Sequence, residues 1–199
     1  MSSFQLTEDE KDVLQELMNI AYGNATAVVA DLLDAFASLS IPRIQLTTTK
    51  ELLETFQELK NNSYFFSTQA FSGKFSGESA FFIDETSANN LAKHLELESD
   101  EDLDDAILEL TNILTSTLTT KLAQEMNTEV SFSLPAISKV PLHEITNTQT
   151  FQKYSEVIVI DTELNFKDQK INGNIYILTK EESIQWLKEQ LNIILEQLI

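Results

Sequence analysis

Apolar residues recur at steps of three, four or seven positions from Leu14 through Leu17, Ala21, Val28, Leu32 and Phe36, the period of one helix face. Thr7 followed three residues later by Glu10 forms a capping-box signature in front of them, so the pattern predicts a long first helix running to about Ser38. Gly23 stands inside that helix, where glycine costs roughly 1 kcal/mol relative to alanine and points to a close approach or a packing need. The run Leu39–Thr48 predicts a strand, and its Pro42 puts it at an edge or an end. Lys50–Leu59 predicts a shorter helix. Ser63–Phe71 and Lys74–Ile83 are aromatic-rich runs separated by Ser72-Gly73, which predicts a tight antiparallel hairpin. Thr86–Leu97 predicts a helix, and Glu96–Asp105, with seven acidic residues, a solvated connector.

The second half repeats this order. Leu103 to about Met126 predicts a long helix, Glu129–Ser138 a strand that contains Pro135, and Pro141–Thr148 a short irregular or helical piece. Ser155–Phe166 and Lys170–Thr179 predict a second strand pair with a looser turn at Lys167-Asp168-Gln169, and Glu181–Ile199 a closing amphipathic helix. Each half thus reads helix, strand, short helix, hairpin, helix. The expected class is α+β: duplicated halves, about residues 7–97 and 101–199, forming one pseudo-two-fold sheet covered by long helices within a single domain, 1–199. The period is too long for a solenoid repeat.

Composition narrows the partners. Thirteen lysines and arginines against 32 aspartates and glutamates give a formal charge of −19, which argues against a nucleic-acid backbone or an anionic membrane as partner. The absence of cysteine removes disulfides and thiolate metal sites and fits a reducing cytoplasm. The first residues lack the basic and apolar regions of a secretory signal, and no apolar run approaches a membrane span; a cytoplasmic protein is expected.

The chemistry-bearing feature is written twice. Asp12, Glu16 and Asn19 fall at i, i+4 and i+7, with Pro42 after a further 22 residues; Asp105, Glu109 and Asn112 repeat the types and the spacing, with Pro135 again after 22. At about 100° per residue each triplet shares a narrow sector of its helix, with Gly23 or Ser116 one turn further on the same face. Val13, Leu17, Ile20, Asn24 and Val28 lie on another arc and are expected to form the core stripe of the first helix, as Leu103, Ile107, Leu110, Leu114 and Leu118 are in the second. Acids near a helix start complement its dipole, so one triplet alone would carry little. Asparagine, however, is a poor residue for a helix interior, and its place on a face expected to be exposed in both copies points to a use other than helix stability.

Aspartate, three residues, glutamate, two residues, asparagine, then 22 residues and a proline resembles the signature of the CheC/CheX/FliY family of bacterial chemotaxis phosphatases, and its presence twice resembles the two-site CheC-like members. Asn19-Ile20-Ala21-Tyr22-Gly23-Asn24-Ala25 is similar to the run that follows the first motif there, and the resemblance covers essentially the whole chain. Two departures stand out: Met18 and Thr111 occupy the position before the asparagine, where the family often has glycine, and Ser116 replaces the glycine of the first copy, so the two sites need not be equivalent. The resemblance implies hydrolysis of the aspartyl phosphate on a CheY-type response regulator. Asn19 and Asn112 would orient the water, Glu16 and Glu109 would pair with the receiver's phosphate-contacting lysine, and Asp12, Gly23, Asp105 and Ser116 would contact the partner. No cofactor of the chain's own is expected; the Mg²⁺ would sit in the receiver domain. Pro42 and Pro135 read as structural. The alternative is a non-catalytic module, either a flagellar-switch scaffold or an adaptor for a CheD-type deamidase, since relatives in the wider family do both.

Other chemistry finds little support. His94 and His143 lack companions at ligand spacing, and four scattered glycines cannot make a phosphate loop. Tyr64-Phe65-Phe66 and Phe81-Phe82 read as core. Trp186, Ile184, Leu187, Leu191, Ile194 and Leu198 form a stripe that either packs on the sheet or meets a partner.

Overall fold

The computed structural model describes residues 6–34, 38–40, 43–57, 63–141, 154, 156–166, 168–179 and 181–197. Thr7 caps α1 (Glu8–Leu32): its hydroxyl accepts the Glu10 amide while the Glu10 carboxylate accepts the Thr7 amide at 2.8 Å. Then follow β1 (Ser38–Leu39), β2 (Arg43–Thr48), α2 (Thr49–Gln57), β3 (Ser63–Gly73), β4 (Gly77–Asp84), α3 (Glu85–His94) and α4 (Asp100–Glu125). The chain continues with β5 (Val130–Phe132), β6 (Ala136–Pro141), β7 (Glu156–Phe166), β8 (Ile171–Thr179) and the final helix, α5 (Glu181–Gln197).

The strands form one antiparallel sheet in the order β1-β7-β8-β4-β3-β5, with β2 also on β7 and β6 also on β3. The register exposes the duplication. Arg43 pairs with Asp161 and Ala136 with Thr68, so a single shift of 93 positions carries β2 onto β6 and β3 onto β7, and it is the shift that carries Asp12 to Asp105. Phe71 pairs with Gly77, and its counterpart Leu164 pairs with Gly173, so β4 maps onto β8 by 96. Ala80 pairs with Tyr176, its own counterpart, which puts the pseudo-two-fold axis between the two central strands. The strands that follow each long helix are exchanged: β2 completes the hairpin of the second half and β6 that of the first. Even the helix ends correspond, since Leu33 and Met126 cap α1 and α4 and are followed by Asp34 and Asn127, both at positive φ. The α+β architecture expected from the sequence is the one observed.

The long helices cover one sheet face. Leu14, Met18, Leu110, Leu114 and Leu118 from α1 and α4 share a buried cluster with Phe65, Phe71, Phe81, Ile175 and Ile177; at about 25 cal/mol per Å² this continuous apolar contact is the main driving force for the fold. Ile184, Leu187 and Leu191 of α5 join the same cluster with Trp186 and Ile194 at its margin, so the closing stripe packs inward. Phe66, Phe82, Val157, Val159 and Leu178 make a smaller cluster on the opposite face, with Leu52 of α2 and Tyr154.

Several sequence expectations need correction. In α1 the core stripe is Leu14, Leu17, Met18, Ala21, Tyr22, Ala25 and Val29, whereas Ile20 and Val28 are 40% and 43% exposed and Asn24 is exposed. The stripe is rotated because α1 packs against α4 and α5 as well as against the sheet, which buries the small Ala21 and Ala25 at the close helix approach. The acidic connector is mostly helix: Ser99 caps α4 in a capping box with Asp102, and the acids complete the first turn, where they offset the helix dipole. The first hairpin turns at residues 74–76 rather than at Ser72-Gly73. The strand predicted over Glu129–Ser138 is broken into β5 and β6 at Pro135, which has no amide hydrogen to give to a ladder. The first helix stops at Leu32 rather than near Ser38. Pro42, His143 and Leu198, and most of the piece expected over Pro141–Thr148, lie outside the described residues.

Candidate functional site

The helical spacing projects the first triplet away from the core, but the expected exposure of the second holds only for its two acids, since Asn112 meets the buried Gln69. Asp12, Glu16, Asn19 and Gly23 on α1 are all exposed, as are Asp105 and Glu109 on α4, while Asn112 and Ser116 are half-buried. A Cβ added at Gly23 would meet nothing within 4 Å, so that turn leaves open space beside Asn19. Ser116 instead folds its hydroxyl back to the Ile113 carbonyl at 3.3 Å.

The second triplet borders a cleft. Asp105, Glu109 and Asn112 line one wall, with Leu108, and Gln69, Phe132, Ser133, Leu134 and Pro135 the other, enclosing about 680 Å³. The geometry follows from the broken strand. Because Pro135 interrupts the ladder between β5 and β6, the 133–135 link bows away from β3 and faces α4, pinned where the Ser133 amide donates to the Ala70 carbonyl at 3.0 Å and the Ser133 hydroxyl accepts from the Ala70 amide at 3.1 Å. Leu134 at the apex is 91% exposed, the most exposed large apolar side chain among the described residues.

Gln69 reaches this cleft from inside. It sits on β3 only 2% exposed, and its Nε2 donates to Asn112 Oδ1 at 2.8 Å and to the Ser133 carbonyl at 2.9 Å. A carbonyl can only accept, which settles which end of the Gln69 amide is nitrogen. In the first copy Asn19 Oδ1 accepts, among the described residues, only a longer, 3.3 Å, solvent-exposed bond from Gln15 on its own helix. The position equivalent to Gln69 in the sequence is Thr162, 93 further on, and among the described residues the two asparagines are held by different partners.

Sequence reasoning thus found the acidic and amide wall and missed Gln69, Leu134 and the part of Pro135 in shaping the cleft. A glutamine within an aromatic strand and an exposed leucine beside a proline were the available signals, and neither type carries a spacing rule of its own. His94 is accounted for structurally: its Nε2 lies 2.7 Å from the Leu33 carbonyl and donates to the end of α1. Among the described residues no group of three or more acidic or histidine side chains could hold a metal ion, and no helix is long and apolar enough to cross a membrane.

Residues 65–163, about half of the chain, match the family model for the chemotaxis phosphatase CheX. The chain is 24% identical to the CheY-P phosphatase CheC of Bacillus subtilis (strain 168), across 94% of this chain and 96% of that protein. Its fold is similar to the crystal structure of Thermotoga maritima FliY, with a TM-score of 0.75 at 17% identity over 95% of this chain and 98% of the other. It is also similar to a chain of the FliM–SpeE complex of H. pylori, with a TM-score of 0.65 at 15% identity over 94% and 97%. With the twice-written motif, the exchanged strands and these matches in agreement, the chain belongs to the CheC/CheX/FliY family of chemotaxis phosphatases.

Proposed function

We propose that this protein hydrolyses the aspartyl phosphate of a CheY-type response regulator, using Glu16 and Asn19 on α1 and Glu109 and Asn112 on α4. The observation that carries the reading is Asn112: a half-buried carboxamide on the wall of an open cleft, flanked by the exposed Glu109 and Asp105. An acyl phosphate is already activated, so the catalyst has chiefly to place a water in line with phosphorus and complement the charge. A carboxamide suits that task because it both donates and accepts hydrogen bonds. Glu109 and Glu16 then pair with the lysine beside the receiver's phosphate and fix the docking, and the Mg²⁺ belongs to the receiver. Asp12, Gly23, Asp105 and Ser116 surround the contact. On this reading residues 1–199 act as one domain of two repeats, each repeat offering one site, and the pathway is chemotaxis or a related two-component output in the cytoplasm.

The test follows the decay of a phosphorylated cognate receiver with wild type, Asn19→Ala, Asn112→Ala and the double variant. The double variant is expected to lose the acceleration; equal rates for double variant and wild type would sink the assignment. The likeness to a chain of the FliM–SpeE complex favours a second reading, a non-catalytic flagellar-switch scaffold. A wild-type protein that binds the activated receiver without accelerating decay would establish it.

A further inference from the structure

We infer that Gln69 is a positioning residue for the second site, which orients the Asn112 carboxamide so that its amino group, and not its carbonyl, faces an incoming phosphoryl group. The inference rests on the proposed reading of Asn112 and adds a residue that the motif does not contain. Gln69 is buried, its Nε2 is fixed as nitrogen by the Ser133 carbonyl, and the same nitrogen donates to Asn112 Oδ1. Held by its oxygen, Asn112 turns Nδ2 toward the cleft that it lines. Two donor bonds from one nitrogen also lock the Gln69 side chain, and its Oε1 has no partner among the described residues. A buried, unpaired amide oxygen is destabilising, which a site kept for packing alone would not need. The same nitrogen links the 133–135 segment and the α4 wall, so the two sides of the cleft are set relative to one another by one side chain.

The chemical consequence is directional. A flipped Asn112 would present a carbonyl oxygen to phosphoryl oxygens, a repulsive contact; the orientation set by Gln69 presents N–H donors, which stabilise charge building on the phosphoryl group. Among the described residues no side chain of the sheet holds Asn19, whose Oδ1 accepts from Gln15 on its own helix, and on this reading it is ordered by the receiver on docking.

The experiment uses the full chain in the Asn19→Ala background, so that only the second site reports. Gln69→Leu removes the donors at similar volume, and Gln69→Glu keeps the shape while replacing the donating nitrogen with an acceptor. Both are expected to lower the maximal rate of receiver dephosphorylation by about tenfold or more, with KM changed less than about twofold, because the loss lies in alignment and not in docking. Gln69→Glu is expected to be the slower of the two, since its carboxylate draws Asn112 Nδ2 inward and turns the carbonyl outward. Side-chain amide resonances of Asn112 in the free protein give a second readout that does not depend on activity: resolved and ordered with Gln69, moving toward free asparagine values with Gln69→Leu. Unchanged Asn112 amide resonances in Gln69→Leu, or an unchanged maximal rate, would overturn the inference. If wild type itself shows no acceleration, the phosphatase reading fails, and if wild type accelerates decay while the Asn19→Ala parent does not, the second site is not catalytic; in both cases the amide resonances still decide whether Gln69 orients Asn112.

Discussion

Gln69 and Asn112 stand 43 residues apart in the chain and are joined by a 2.8 Å side-chain hydrogen bond between sheet and helix. The same asparagine one repeat earlier, Asn19, is exposed on its helix and held at 3.3 Å by Gln15. The duplicated motif is therefore symmetric in sequence and asymmetric in support, and alignment before docking is where an enzyme gains rate. We expect Asn112→Ala to slow receiver dephosphorylation several-fold more than Asn19→Ala, on the order of 3- to 10-fold between them. Rates measured at saturating phosphorylated receiver check this; a larger loss with Asn19→Ala would show that preorganisation does not rank the sites.

Two glycines make opposite predictions. Gly23 is exposed within α1 with nothing near its missing Cβ, so Gly23→Ala is expected to stabilise the protein by about 1 kcal/mol through helix propensity. The added methyl group would enter the space beside Asn19, so binding to the receiver at the first site should weaken while stability rises. Gly77 is at the β4–β8 ladder, where a Cβ would collide with the Leu178 carbonyl oxygen and press on the Phe71 ring. Gly77→Ala is expected to destabilise by about 3 kcal/mol, since backbone in a central strand pair cannot yield cheaply. Urea unfolding of both variants measures the difference, and similar effects would refute the contrast.

The α4 stripe of Leu103, Ile107, Leu110, Leu114 and Leu118 is buried as its periodicity predicts, and five of the six triplet residues are exposed as their spacing predicts, whereas Asn112 is half-buried against Gln69. The α1 stripe was misjudged by part of a turn because helix–helix packing selects small residues such as Ala21 and Ala25, which a hydrophobicity pattern weighs lightly. The cleft was invisible for a different reason. Gln69, Asn112 and Ser133 come from three elements brought together by the pairing of β3 with β5 and β6, and no local rule connects residues so far apart in the chain.

Glu10 ties the two ends of the chain. Its carboxylate accepts the Thr7 amide at 2.8 Å and the Asn192 side-chain amide at 2.9 Å while only 3% exposed. Glu10→Ala removes half of a capping box and leaves Asn192 without that acceptor, at an expected cost of about 2 kcal/mol. Asn192→Ala should cost less, about 1 kcal/mol, because Thr7 still holds the carboxylate. A double-mutant cycle followed by denaturant unfolding isolates the shared bond, and a coupling near zero would show that the Glu10–Asn192 bond does not help to hold α5.

Stability is expected to fall in alkali. Burial, then the neighbouring Glu78 carboxylate, pushes the Tyr154 phenol above its ordinary 10.0, and burial followed by Asp84 does the same to Tyr64. A raised folded pKa means that the folded state keeps protons which the unfolded state gives up, so this contribution is complete below pH 10.0 and is lost as pH rises through the folded values. Unfolding free energies should be level on this account below pH 10.0 and decline above it, with Tyr154→Phe flattening the decline. An unchanged slope in Tyr154→Phe would locate the alkaline sensitivity elsewhere.

Leu134 offers the clearest separation of binding from stability. At 91% exposed it gives up little on folding, yet it stands on the wall of the cleft opposite Glu109 and Asn112. The chain carries a formal charge of −19, and an aspartyl phosphate with its surrounding acids is also negative, so long-range attraction cannot drive the encounter and short-range apolar contact must contribute. Leu134→Ser is expected to weaken association with an activated receiver by about tenfold, equivalent to about 1.4 kcal/mol, with no change in unfolding midpoint. Raising salt from about 0.05 M to about 0.5 M should leave wild-type association unchanged or stronger, because screening removes repulsion. Titrations of wild type and Leu134→Ser at both salt concentrations measure each effect. A steep loss of wild-type binding with salt would point to a basic partner, and full affinity in Leu134→Ser would place the docking contact away from this cleft.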